Sequence, residues 1–206
     1  MPGDGEFRYR LWYLKDELLR FVGHLDTVNL VVRAMRRAGL PLVHTEGFSQ
    51  KPRLVTSPPL PLGFTSRMEL LDFSLTERKE PAEVLELLRR EEEPRKLIHR
   101  VRTLKNEEPK LSRVVYSTLV DLLFKFDDEG VTPEEVEHCL KELGVDATCG
   151  LLGWGANGDR LRINCRVHAG ALPLGKFAKD VAEKLETRLV VGERIMLLKR
   201  DGGLAF

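Results

Sequence analysis

The chain has 206 residues, 42% of them hydrophobic and 32% charged, which is enough apolar material for a packed core and excludes wholesale disorder. Thirty-three basic residues against 32 acidic ones leave a net charge of +1, so the whole-chain balance points to no polyanionic partner and only local charge can. The length suits one large domain or two small ones of roughly 100 residues each.

The first predicted strand is Phe7 to Leu14, with Phe7, Tyr9, Leu11 and Tyr13 on one face and Arg8, Arg10 and Trp12 on the other. Trp12, between two arginines, is placed either to stack on a base or to pack against a second domain. A helix is expected from Asp26 to Gly39: Val28, Val31, Val32 and Met35 recur at helical spacing, Asp26 suits the N-cap, and Gly39 with Pro41 ends it. A short strand, Leu42 to His44, leads into a long loop from Glu46 to Ser66 that carries four prolines. A loop this long and this stiffened is more often functional than a mere connector. Met68 to Thr76 then reads as a strand, Pro81 opens a helix with a Val84, Leu87 and Leu88 stripe, and Leu97 to Leu104 alternates as a strand. The polar segment Asn106 to Lys110 marks a boundary.

The second half repeats this order. Val114 to Phe126 is a strand with Tyr116, Thr118, Val120, Leu122, Phe124 and Phe126 on one side. Thr132-Pro133-Glu134-Glu135 is a capping box with proline at the first helical position, and Val136, Leu140 and Leu143 form the apolar stripe behind it. Strands near Cys149–Trp154 and Arg160–Val167 flank Asn157-Gly158, a strong hairpin signal. A helix over Pro173–Thr187 buries Phe177, Val181 and Leu185, and Leu189 to Lys199 is the last strand. Strand, helix, two strands, helix, strand is the split βαβ order. The expected fold is therefore α+β: two tandem ferredoxin-like domains, 1–108 and 109–206, the first with a proline-rich insertion between its middle strands.

The charge is unevenly spread. Between Leu18 and Arg67 there are seven basic residues and two acidic ones, +5, whereas from Arg113 onward thirteen face fifteen, −2. The candidate anion- or RNA-binding residues are Arg20, His24, Asn29, Arg33, Arg36, Arg37, Phe48, Ser49, Lys51 and Arg53. Guanidinium forks match phosphate oxygens, and neutralising phosphates releases counterions. The competing reading is a solvated helix face that binds nothing. His24 and His44 have the right intrinsic pKa for acid–base work on RNA, and serve equally well as a helix-cap residue and a sheet-edge residue. Three scattered cysteines, Cys139, Cys149 and Cys165, form no cluster motif, so no metal, iron–sulfur centre or other cofactor is expected. No nucleophile elbow, Walker or dinucleotide pattern occurs, and no catalytic residue is assigned. Gly153-Trp154-Gly155 and Gly202-Gly203 read as hairpin and tail glycines. Without an apolar span or a leader-like N-terminus, the expectation is a cytoplasmic protein with no membrane partner.

Four short strings, Leu19-Arg20-Phe21-Val22-Gly23-His24-Leu25-Asp26, Arg33-Ala34-Met35-Arg36-Arg37-Ala38-Gly39-Leu40-Pro41, Glu46-Gly47-Phe48 and Pro59-Leu60-Pro61-Leu62-Gly63, resemble the radical SAM-linked family. This is a bacterial domain of unknown function, fused to or encoded beside radical S-adenosylmethionine proteins. The family's loop reads Gly-Phe-Asn-Pro-His-Pro-Lys. Here it is Gly47-Phe48-Ser49-Gln50-Lys51-Pro52-Arg53, so the family's histidine has no counterpart and the basic character persists through Lys51 and Arg53. The resemblance implies a non-catalytic accessory that binds RNA or another anionic substrate for a radical SAM partner. Two alternatives stand beside it. One is a metal-independent endoribonuclease resembling the CRISPR repeat-cleaving enzymes, whose C-terminal glycine-rich loop Gly192 and Gly202-Gly203 match poorly. The other is a pure protein–protein adaptor.

Overall fold

A computed structural model describes residues 5–91, 97–115, 117–126, 131–143, 149–157, 160–168 and 174–198. Tyr116, Gly158, Pro173 and Gly202-Gly203, all singled out in the sequence, lie outside the described residues. The fold is mixed α+β and mostly antiparallel, and it divides into two compact units: Met1–Pro59 with Met68–Val114, and Leu60–Arg67 with Val115–Phe206.

The first unit contains β1 (Phe7–Lys15), α1 (His24–Arg37), β2 (Leu54–Thr56), the larger part of β3 (Phe64–Leu75), α2 (Pro81–Glu91), β4 (Ile98–Thr103) and the single turn α3 (Leu111–Val114). Its strands lie in the order β4-β1-β3-β2, with β1–β4 and β2–β3 antiparallel. Tyr9, Leu11 and Tyr13 of β1 meet Val31 and Met35 of α1, Phe73 and Leu75 of β3, and Val84 and Leu88 of α2 in one core. Each such fully buried side chain contributes about 1.5–3 kcal/mol of transfer free energy. The Tyr9 and Phe73 rings stack with centroids 5.4 Å apart.

The other face of β1 is also buried, which favours packing over base stacking for Trp12. Arg10 and Trp12 are almost wholly enclosed, so Trp12 offers no ring face to a base; the Arg100 guanidinium lies 4.9 Å from its ring centroid.

Three expectations change in this unit. Helix α1 starts at His24 with Gly23 as N-cap, because the Thr27 amide and hydroxyl both donate to the Gly23 carbonyl at 2.9 Å. Asp26 thus sits in the first turn, where its carboxylate faces the positive end of the helix dipole, and does not cap. Leu42 to His44 makes only isolated bridges, Leu42 to Leu75 and His44 to Pro52. The second strand is instead β2, inside the proline-rich loop, paired as Leu54 with Phe73, Val55 with Asp72 and Thr56 with Leu71. The end of α1 follows the sequence: Gly39 has φ +65°, and the Leu40 and Gly39 amides donate to the Met35 and Arg36 carbonyls, a Schellman closure.

The second unit contains β5 (Ser117–Phe126), α4 (Pro133–Glu142), β6 (Cys149–Asn157), β7 (Arg160–His168), α5 (Leu174–Lys184) and β8 (Thr187–Leu198). Its strands lie in the order β8-β5-β7-β6, antiparallel throughout, and residues 64–66 of β3 add to β8 in parallel. Val114, expected to begin β5, belongs to α3 instead, since the Arg113 amide donates to the Lys110 carbonyl and closes a turn. The Thr132–Glu135 capping box forms in both directions. Asn157 faces Arg160 across the β6–β7 pair. Val120, Leu122, Phe124, Val136, Leu140, Ile163, Phe177 and Val181 make this unit's core. Cys139 and Cys165 are buried and free of disulfides.

Candidate functional site

Helix α1 fixes the first part of the site. At about 100° per residue, Val28, Val32 and Met35 centre on the sheet, and Thr27 and Ala34 form one flank. Thr27 and Ala34 are buried, and α1 packs beside α2. Leu25, Asn29 and Arg36 make up the opposite flank, with Arg33 next to it toward solvent, and all four are exposed. This exposed flank lies opposite Thr27 and Ala34, and the start of α1 is tied to β2 by a 3.3 Å hydrogen bond between His24 Nε2 and Thr56 Oγ1.

The loop expected to be irregular leaves β2 as a narrow hairpin. The Arg53 amide donates to the Val43 carbonyl and the Thr45 amide to the Lys51 carbonyl, both at 2.8 Å, while the Lys51 amide donates to Thr45 Oγ1 at 3.2 Å. Gly47, at φ +114°, turns the tip through backbone space that side chains rarely enter. Phe48, Ser49 and Lys51 are exposed there. β2 thus continues the hairpin directly and meets the start of α1 through His24.

The ten candidate residues divide by their partners. Arg37 Nε lies 3.1 Å from Glu91 Oε2, and its Nη2 donates to the Glu91 carbonyl at 2.8 Å. Arg53 Nη1 donates to both carboxylate oxygens of Glu6, at 2.7 and 2.9 Å. Arg20 is 3.7 Å from Glu17 and its guanidinium lies 5.1 Å from the Phe21 ring centroid. Arg33, Arg36 and Lys51 have no ion pair among the described residues. Sequence counting could not find these neutralising carboxylates, because Glu91 and Glu6 stand 54 and 47 residues from their arginines. His24 and His44 are not assembled into a pair: one is bonded to Thr56, the other is an exposed edge residue bridged to Pro52.

A second feature of the first unit escaped the sequence. A cavity of about 380 Å³ is lined by Glu6, Arg8, Arg53, Asp72, Glu107, Glu108, Lys110 and Arg113 among others. Three of its four acids are held by arginines. Asp72 holds Arg10, Glu6 holds Arg53, and Glu108 accepts from Arg102 at 2.9 and 2.7 Å and from the Lys105 amide at 3.0 Å. The Arg102 bonds, followed by that amide and assisted by the Arg102 and Arg10 charges, pull the Glu108 carboxyl down to about 2 against partial burial. The lining carries four acids and four bases, and two of those acids, Asp72 and Glu108, are held by Arg10 and Arg102, which are not among the lining residues. No group of three or more metal-ligating side chains occurs among the described residues, and none of the described helices is long and apolar enough to cross a membrane.

Residues 8–147 match the model of the DUF2344 family, described as an uncharacterized protein conserved in bacteria. No curated protein matches the chain by sequence. Among solved structures, the chain is similar to the archaeal box H/ACA sRNP Nop10-Cbf5 complex at 11% identity and a TM-score of 0.49, covering 94% of this chain and 49% of that one. It is also similar to an H/ACA RNP bound to a substrate RNA containing 2'-deoxyuridine, at 9% identity and 0.45, covering 85% and 45%. A Cbf5-Nop10-Gar1 complex follows at 8% identity and 0.43, covering 85% and 46%. The chain spans about half the length of these solved chains.

Proposed function

The chain belongs to the bacterial DUF2344 family, and from that premise we propose that it is an accessory binding protein that holds RNA for a radical SAM enzyme through the β2 edge of its first unit. In this reading both units are ferredoxin-like. Their shared element order and their shared strand order, fourth-first-third-second, support that assignment. The radical SAM partnership rests on the four-string resemblance alone.

The observation that carries the binding reading is the contrast in pairing. Arg37 and Arg53 are occupied by Glu91 and Glu6, while Arg33, Arg36 and Lys51 stand exposed with no ion pair among the described residues. Cations left without carboxylates are the ones that gain most from phosphate oxygens, and each such contact releases condensed counterions. The test is fluorescence anisotropy of a labelled RNA against the wild type and an Arg33→Ala/Arg36→Ala/Lys51→Ala variant, with thermal melting as a folding control. Wild-type affinity should fall as salt rises from about 50 to 200 mM, and the variant should lose roughly 2–3 units of log–log slope. Failure of the wild type to bind RNA at low salt would overturn the reading. Unchanged RNA binding by the variant, with loss of a co-purifying enzyme, would make this edge a protein adaptor instead.

A further inference from the structure

We infer that the RNA taken by this edge is unpaired, with bases stacking on Phe21 and Phe48; the inference rests on the RNA-binding reading above and names the substrate class. Large apolar side chains belong in a core, and six are exposed among the described residues: Phe7, Leu18, Phe21, Leu25, Phe48 and Leu62. Four of them lie in the segments that carry the unpaired cations or lead into them. Leu18, Phe21 and Leu25, 74%, 75% and 75% exposed, lead into and begin α1, and Phe48 is fully exposed at the tip of the hairpin that carries Lys51.

Neither phenylalanine is out in solvent because its segment frays. The turn before α1 is capped by Asp16, whose Oδ1 accepts from the Leu19 amide at 3.0 Å. Leu19 is buried, the Val22 amide donates to the Leu19 carbonyl at 2.8 Å, and Lys15 Nζ donates to the Arg20 carbonyl at 3.2 Å. This ordered turn holds Phe21 outward. Arg20 stands over the ring at 5.1 Å and, with the ring still three-quarters exposed, leaves surface for a partner. Phe48 is held out by the bonded hairpin and the left-handed turn at Gly47.

Exposed aromatic rings together with cations that have no ion pair among the described residues fit unpaired nucleotides: each base has a π-face for a ring, and each phosphate takes a cation. A duplex keeps its base faces stacked inside, so it could use Arg33, Arg36 and Lys51 but neither phenylalanine.

The experiment measures anisotropy of a labelled unpaired 12-mer RNA and of the same strand annealed to its complement. The proteins are the wild type, Phe21→Ala, Phe48→Ala, both Phe→Trp variants, and the Arg33/Arg36/Lys51 triple alanine variant. The single strand should bind about tenfold or more tighter than the duplex at equal salt. Each alanine should weaken it by about 5- to 100-fold with little change in salt slope, and tryptophan should restore it. Duplex affinity should be unmoved by the phenylalanine changes. If both alanine variants bind the single strand like the wild type, or if duplex and single strand bind equally, the inference falls while the cationic reading stands. If the triple variant also binds like the wild type, or nothing binds RNA, the underlying reading falls and takes this one with it.

Discussion

Arg10 and Asp72 form a two-pronged ion pair sealed inside the first unit, Nε to Oδ1 at 2.7 Å and Nη2 to Oδ2 at 3.0 Å, with side chains 2% and 7% exposed. They sit on the faces of β1 and β3 turned from the helices. Desolvating two charges is costly, and the fork geometry offsets that cost only while both partners are present. Arg10→Ala should therefore destabilise the protein by about 3–5 kcal/mol, read as a lowered urea midpoint. An Arg10→Met/Asp72→Leu double replacement should recover most of that loss, since it strands no buried charge.

Gly192 of β8 makes a comparable demand in the second unit. A Cβ there would stand 2.2–2.5 Å from three atoms of the Phe64 ring, which is itself 1% exposed and has no room to move. Gly192→Ala should cost about 1–3 kcal/mol through overpacking. Adding Phe64→Leu should relieve part of it, a coupling that a double-mutant cycle of unfolding free energies would measure. Two additive single losses would mean that the ring and the glycine are not in contact.

Glu108 gives the acid limb of stability a definite sign. Its folded carboxyl titrates at about 2, down from 4.5, chiefly through its hydrogen bonds from Arg102. A depressed carboxyl contributes fully above the unfolded value, and that contribution is lost as pH falls from about 4.5 toward about 2. Glu108→Gln should be less stable than the wild type at pH 7, and the two should converge as pH approaches 2. Thermal midpoints at pH 7, 4 and 2.5 would check it; a constant gap across that range would assign the loss to packing instead.

What the sequence made legible was local. The capping box at Thr132, the Val28–Met35 stripe and the Gly39 stop are written within a turn or two of where they act, and each forms. The failures involve distant partners or close rivals. Asp26 loses the N-cap to Gly23, three residues earlier, because Thr27 closes the first turn on the Gly23 carbonyl. β2 hides among prolines because its three residues become a strand only by pairing with Leu71 to Phe73. Trp12 is left between stacking on a base and packing inside, and only its burial, with Arg100 88 positions on lying over its ring, decides. Seven basic residues against two acids looked like a continuous patch, whereas Glu6 and Glu91 lie outside the counted segment and remove two members of it.

That subtraction yields the sharpest test of the site. If phosphate binding depends on unpaired cations, the basic residues of this edge are not equivalent, though sequence alone treats them alike. Arg33→Ala, Arg36→Ala and Lys51→Ala should each flatten the log-affinity against log-salt line by roughly 0.7–0.9. Arg37→Ala and Arg53→Ala should leave it nearly unchanged, because their guanidinium groups already face Glu91 and Glu6. Their cost should appear in stability instead, at about 1 kcal/mol or less for such partly exposed pairs. Salt titrations of all five variants with one RNA would separate the outcomes. Five equal slope losses would mean that binding draws on net charge over the whole segment and that the pairing seen here opens when RNA arrives. Slope losses confined to Arg37 and Arg53 would move the contact to the other side of α1 and to the Glu6 cavity, and the exposed flank would be merely solvated.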